Sequence, residues 1–84
     1  MEKFNLSNEQ IDLILRLFAE EPIVKKVLEC RKENEFIVSV DDKIEFMGFI
    51  EDMTVLEGMD SNYDPTPDGY IMESIYDSIY AQTN

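Results

Sequence analysis

The apolar residues near the start of the chain recur every three or four positions, the spacing of one face of an α-helix. This face consists of Ile11, Ile14, Leu15 and Phe18. Ser7 and Gln10 have the spacing of a capping box, so we expect the helix to begin at Asn8. Pro22 has no amide hydrogen to donate, and the helix should therefore end at Glu21.

A second helix is predicted to begin at Pro22, because proline is tolerated in the first turn. Its apolar residues lie on one side of the helix together with Arg31, and they are Ile23, Val24, Val27 and Leu28. Cys30 falls beside this side, so we expect it to be a small core residue rather than a reactive thiol.

The next segment favours a strand at first and a helix afterwards. Residues 35–40 are rich in β-branched and aromatic side chains, whereas the pattern from Ile44 onward is helical. Ser39 and Asp42 again have capping-box spacing, which predicts a helix over Val40–Glu57 that ends at Gly58. One broad apolar side of this helix consists of Ile44, Phe46, Met47, Phe49, Ile50, Met53 and Leu56.

The only long polar connection runs from Met59 to about Thr66 and is predicted to be a loop. Thr66 followed by Pro67 and Asp68 has the order of a cap, a first-turn proline and a first-turn acid, so a last helix should extend to about Ala81. Its predicted buried line is Ile71, Ile75 and Ile79.

These elements predict an all-α fold, a small four-helix domain formed by residues 1–84 and frayed at both termini. The alternative is an α+β fold with a short hairpin around residues 36–48, in which Ile44–Met47 pair back on the strand-like segment. The predicted core of the helical fold is Ile14, Phe18, Val27, Leu28, Phe46, Ile50, Met53, Ile75 and Ile79.

Charge divides the chain sharply at Lys43. All seven basic residues lie at or before that position, whereas the 41 residues after it contain nine carboxylates and no lysine, arginine or histidine. The first 43 residues hold ten acids and seven bases, a formal charge of −3, so the remainder supplies −9 of the total −12. Such a chain should repel nucleic acid and anionic membranes and attract basic protein surfaces.

Few residues offer chemistry. Histidine is absent and Cys30 is the single cysteine, so we expect neither an enzyme nor a cofactor, and we expect no internal disulfide and no zinc site. The first residues lack the pattern of a secretory signal, and no apolar run reaches the roughly 20 residues that span a bilayer. A cytoplasmic protein is the corresponding expectation.

One short segment resembles the beginning of a calcium loop of the EF-hand type. Its first, third, fifth, sixth and eighth positions are Asp64, Thr66, Asp68, Gly69 and Ile71. The bidentate glutamate expected at the twelfth position is replaced by Ile75, and Glu73 comes two residues too early. We therefore predict no metal site and favour a turn and helix cap, with weak candidate ligands Asp64, Thr66, Asp68 and Glu73.

All four tyrosines occur among the acids of the C-terminal segment, a combination that suits a binding face for a basic partner. The candidate partner-binding residues are Glu51, Asp52, Asp60, Tyr63, Asp64, Asp68, Tyr70, Glu73, Tyr76, Asp77 and Tyr80.

This face leads to the hypothesis of a non-enzymatic inhibitor or adaptor that docks on a basic protein surface. One option for that surface is a nucleic-acid-binding site of the partner. The acids of this chain would then imitate the phosphates of the nucleic acid, as in small acidic proteins of phages and mobile elements. The alternatives are a structural homo-oligomer, such as a homodimer, and a weak calcium-binding helix-loop-helix.

Overall fold

Four helices and a three-stranded antiparallel sheet make up the computed structural model, which describes residues 1–83. The fold is therefore α+β rather than all-α, and the alternative class is the one confirmed. In chain order the elements are β1 (Glu2–Asn5), α1 (Asn8–Phe18), α2 (Pro22–Leu28), β2 (Arg31–Lys32), β3 (Glu35–Val38), α3 (Val40–Glu57) and α4 (Pro67–Thr83).

The central strand of the sheet is β3, which pairs with β1 on one side and with β2 on the other. Phe36 lies opposite Phe4 of β1, and the two buried rings stack with their centroids 5.2 Å apart. The strand-like segment thus forms a strand, but its partners precede it in the chain. Ile44–Met47 do not pair back on it, because the chain is already helical from Val40.

The hairpin between β2 and β3 ends α2 earlier than expected. Arg31 and Lys32 belong to β2 rather than to the helix, and the turn places Glu33 at a positive φ of 58°. Cys30 lies between α2 and β2 and is exposed, so its assignment to the core was wrong.

The predicted helix starts are confirmed, and those of α1, α3 and α4 each have a capping side-chain hydrogen bond, whereas α2 begins at Pro22 without one. The Gln10 amide donates to the Ser7 hydroxyl, and the Gln10 side chain accepts from the Ser7 amide, which completes the capping box. The Asp42 amide donates to the Ser39 hydroxyl. The first helix, however, ends at Phe18 rather than at Glu21.

The core lies where the sheet meets the four helices. Sixteen of its seventeen members come from α1 to α4, β1 and β3, and the seventeenth, Leu6, lies between β1 and α1. Seven of the nine residues predicted for the core belong to it. Leu28 and Met53, which were predicted for the core, are only half-buried. Ile44 and Leu56 are 60% and 69% exposed, so the broad apolar side predicted for α3 is only partly buried.

Side-chain hydrogen bonds join β1, near the start of the chain, to the last turn of α4. The Gln82 side chain donates to the Asn5 carbonyl and accepts from the Asn5 amide. The buried ammonium of Lys43 lies 3.2 Å from Glu2 Oε1 and 3.1 Å from Thr83 Oγ1, so it joins β1, α3 and the last turn of α4.

Helices α3 and α4 meet at a contact between two glycine backbones. A Cβ atom on Gly69 would overlap the carbonyl group of Gly58, and a Cβ on Gly58 would lie 2.9 Å from Gly69 Cα. The Thr66 amide donates to the same Gly58 carbonyl over 2.8 Å. This junction fixes the distance between the end of α3 and the start of α4, because no side chain separates the two backbones.

We expect Gly69→Ala to lower the free energy of unfolding by about 2–4 kcal/mol, because the new methyl group forces the two helices apart. Urea denaturation followed by circular dichroism measures the change. The matched control is Gly48→Ala in α3, where a Cβ would meet nothing within 4 Å. This control should raise the stability by up to about 1 kcal/mol through helix propensity. Equal stability of the two variants would contradict the proposed tight junction.

Candidate functional site

Helix α3 exposes a line of residues, all but one of them apolar or small, along almost its whole length. Positions 40, 44, 48, 51 and 55 are separated by steps of four, four, three and four residues, so they share one face of the helix. Val40, Ile44 and Val55 are between 47% and 65% exposed, and Gly48 and Glu51 are also exposed. We call the residues Val40, Ile44, Gly48, Glu51 and Val55 the α3 stripe.

The α3 stripe forms one wall of a shallow groove whose other wall is α4. A depression of about 520 Å³ lies beside the first half of α3, and one of about 270 Å³ lies beside its second half. Glu51 and Tyr76 line both depressions, so the two are continuous. We call this feature the α3–α4 groove, and its α4 wall contains Glu73, Tyr76, Asp77 and Tyr80.

The charge of the groove is negative. Glu51, Glu73 and Asp77 are exposed at its edges, and none of them has an ion-pair partner in the described part of the chain. The one cation that lines the groove, Lys43, is 6% exposed and already paired with Glu2. The face therefore combines apolar surface with carboxylates that nothing within residues 1–83 neutralises.

Two tyrosines give the α4 wall its flat surface. The rings of Tyr76 and Tyr80 stack with a centroid separation of 6.5 Å and an interplanar angle of 13°. Tyr76 is half-buried against the core, whereas Tyr80 is 56% exposed. An exposed aromatic face beside carboxylates suits contact with an aliphatic chain or a guanidinium group.

The structure brings together five of the eleven residues that the sequence suggested for partner binding. The five that line the groove are Glu51, Glu73, Tyr76, Asp77 and Tyr80. Asp52 and Tyr70 are exposed on α3 and α4 but do not line it, and Asp60, Tyr63 and Asp64 lie in the loop between the helices.

That loop is organised by its own hydrogen bonds. One carboxylate oxygen of Asp60 accepts from the amides of Asn62 and Asp64 at 2.8 and 3.1 Å, and Tyr63 adopts a positive φ of 62° between them. Such a turn is typical of an aspartate at its first position, so the Asp60 carboxylate has a local structural role.

Two of the four weak calcium candidates, Thr66 and Asp68, make other interactions. The Thr66 hydroxyl donates to the Gly58 carbonyl and accepts from the Gly69 amide, as expected for the helix cap. The Asp68 carboxylate binds Arg16 of α1. Among residues 1–83 the structure shows no group of three or more acidic or cysteine side chains arranged to hold a metal ion.

Arg16 and Asp68 form a two-pronged ion pair between α1 and the first turn of α4. The Arg16 guanidinium donates to both carboxylate oxygens, at 2.9 and 3.2 Å. The hydrogen bonding from Arg16 holds the pKa of Asp68 below its ordinary value, and the same interaction raises the pKa of Arg16. Asp68 is thus paired within the chain, unlike the carboxylates of the groove.

Sequence reasoning missed the α3 stripe because it placed Ile44 on one broad apolar side of α3 and did not separate the exposed part of that side from the buried part. One signal was present: the apolar residues of α3 occupy more of the helix circumference than a single neighbouring face can cover. The same pattern did not reveal which part of that circumference is exposed.

No protein-family model, curated protein or solved structure matches the chain. Within residues 1–83, none of the helices is both long and apolar enough to cross a membrane.

The Arg16–Asp68 pair should stabilise the fold only while Asp68 is ionised. Its folded-state pKa is lowered, so the contribution is fully present above the unfolded-state pKa of about 3.9 and is lost as the pH falls through the folded-state value. We expect the coupling free energy of an Arg16→Gln and Asp68→Asn double-mutant cycle to be favourable near neutral pH. It should shrink as the pH falls below about 4.

Urea unfolding of the four proteins at a series of pH values measures this coupling. The coupling is the difference between the stability change in the double variant and the sum of the changes in the two single variants, each measured relative to the wild-type chain. A coupling free energy that stays constant through this acid range would contradict the assigned ion pair.

Proposed function

We propose that this protein is a non-enzymatic binding module whose α3–α4 groove docks on a basic segment of another protein, which it inhibits or links to a further component. The observation that carries the proposal is the exposed α3 stripe with three unpaired carboxylates: Glu51 within the stripe, and Glu73 and Asp77 on the α4 wall. A surface of this kind is useful only to a partner that is both apolar and basic.

The two components of the groove have separate roles in the proposed binding. Burial of Ile44, Val55 and the Tyr80 ring supplies affinity, because apolar surface removed from water favours association. The carboxylates accelerate encounter with a basic partner and disfavour acidic ones. Nucleic acid itself is an unsuitable ligand, since its phosphates would meet a chain of net charge −12.

A nucleic-acid-binding site on the partner is one target that fits this surface. Glu73 and Asp77 are one helical turn apart on α4, a rise of about 6 Å. Duplex nucleic acid presents phosphates at regular intervals, about every 3.4 Å of axis along each strand, and the two carboxylates likewise present a row of anions. Occupation of such a site would exclude the nucleic acid by competition.

Self-association through the groove is the less favourable use of the same surface. A two-fold dimer would bring Glu51, Glu73 and Asp77 of one chain close to the same three residues of the other, without a free cation in the groove to offset them. Like charges in a desolvated contact oppose association, whereas a basic segment relieves the repulsion.

Affinity capture from a lysate of the source organism tests the proposal. The tagged chain should retain a partner that mass spectrometry identifies and that binds the purified protein directly. The triple variant Glu51→Gln, Glu73→Gln and Asp77→Asn should bind this partner about tenfold or more weakly, because three charge contacts are lost. Affinity should also fall as the salt concentration rises.

The control is a triple variant with the same change in net charge, made at three exposed acids that do not line the groove: Asp12→Asn, Glu29→Gln and Glu33→Gln. It should bind like the wild-type chain. Equal losses in both triple variants would show that only total charge matters, which contradicts docking through the groove. Sedimentation of the purified chain at high concentration should give a monomer, and a salt-stabilised dimer would favour self-association instead.

A further inference from the structure

Gly48 is the one glycine of the chain for which residues 1–83 supply no packing reason. Gly58 and Gly69 are required by the close contact of α3 with α4, whereas a Cβ on Gly48 would meet no atom within 4 Å. Glycine in the middle of a helix costs about 1 kcal/mol relative to alanine. Helix α3 therefore carries a destabilising residue at a position where almost any other would fit.

The position of Gly48 relates it to the groove. It lies within the α3 stripe, one turn after Ile44 and just under one turn before Glu51, and it lines the larger depression. The missing side chain lowers the wall of the groove there and exposes the helix backbone. Glycine at such a place allows another backbone to approach closely.

The shape of the groove indicates what kind of backbone approaches. The α3 stripe extends over 16 residues from Val40 to Val55, a length of about 22 Å, which matches a helix of about four turns. Its apolar positions are spaced to face residues at the i, i+3, i+4 and i+7 positions of a helix lying alongside. An extended peptide would instead need an open strand edge, and the groove lies between two helices.

Charge indicates what flanks the apolar side of that helix. Glu51 stands within the stripe, and Glu73 and Asp77 stand on the opposite wall, so cationic side chains on both sides of a bound helix would each meet a carboxylate. The exposed ring of Tyr80 offers a surface over which a guanidinium can lie.

We propose that the α3–α4 groove binds an amphipathic helix of the partner that carries lysine or arginine on both flanks, with Gly48 as the point of closest approach. This inference rests on the proposed function and deepens it, because it specifies the shape and charge of the docking segment. The bound helix packs against α3 and α4 as a third helix, and a small residue of the partner lies over Gly48.

Two synthetic peptides test the inference directly. The first is an 18-residue helix-forming peptide with leucine and alanine on one face and lysine on both flanks. The second has the same composition except for two central prolines, which prevent a helix. Isothermal titration calorimetry should detect binding of the first peptide to the wild-type chain and binding of the second that is about tenfold weaker or undetectable.

Gly48→Leu is the critical variant, since leucine is a better helix former than glycine, and Gly48 is exposed with no atom within 4 Å of an added Cβ. Its thermal midpoint should equal or exceed that of the wild-type chain, whereas its affinity for the helical peptide should fall about tenfold or more because the side chain blocks close approach. The control Ser61→Leu places the same side chain in the exposed loop outside the groove and should bind normally.

The outcomes separate this inference from the proposed function. Equal affinity for the two peptides, no binding of either, or normal binding by a folded Gly48→Leu variant would overturn the helical occupant. If capture of the native partner still depends on Glu51, Glu73 and Asp77 in that case, the groove binds a basic segment that is not a helix. Both proposals would be overturned if the peptide results failed in this way and capture of the native partner also did not depend on Glu51, Glu73 and Asp77.

Discussion

The contact between Gly58 and Gly69 is the constraint on which the arrangement of the two long helices depends. The two backbones touch without an intervening side chain, and the Thr66 amide and hydroxyl both bind the Gly58 carbonyl. With the helices held together at this end, Lys43 links them at the other end through Glu2 and Thr83. The α3–α4 groove lies between these two fixed points, so its walls are set by the fold rather than by loop geometry.

Local chemistry predicted the helices well and the sheet poorly, for a physical reason. A helix start depends on residues within four positions, so Ser7, Ser39 and Thr66 could be assigned as caps from their neighbours alone. A strand depends on its partner, and β3 pairs with residues thirty or more positions earlier, in β1. Nothing near Phe36 indicates that Phe4 stacks on it.

The candidate site was predictable in its charge and not in its shape. Five groove residues, three acids and two tyrosines, could be named from the sequence, because acids and tyrosines cluster there in a segment without basic residues. The apolar wall could not, since periodicity shows that α3 is apolar but not which part of it is covered. In the fold the sheet contributes Phe4, Phe36 and Val38 to the core, and Ile44 is left outside.

The division of charge along the chain also has a spatial counterpart. Five of the seven basic residues form ion pairs, and four of those pairs use carboxylates from the first 42 residues. Asp68, bound to Arg16, is the only later acid that is paired within residues 1–83. The fold thus uses its cations to join elements of the first half and to dock α4 on α1, and none of them pairs with Glu51, Glu73 or Asp77. The exposed apolar face of α3 and the helix-weakening Gly48 both make the isolated chain less favourable than it could be. The proposed basic helical partner would account for both features.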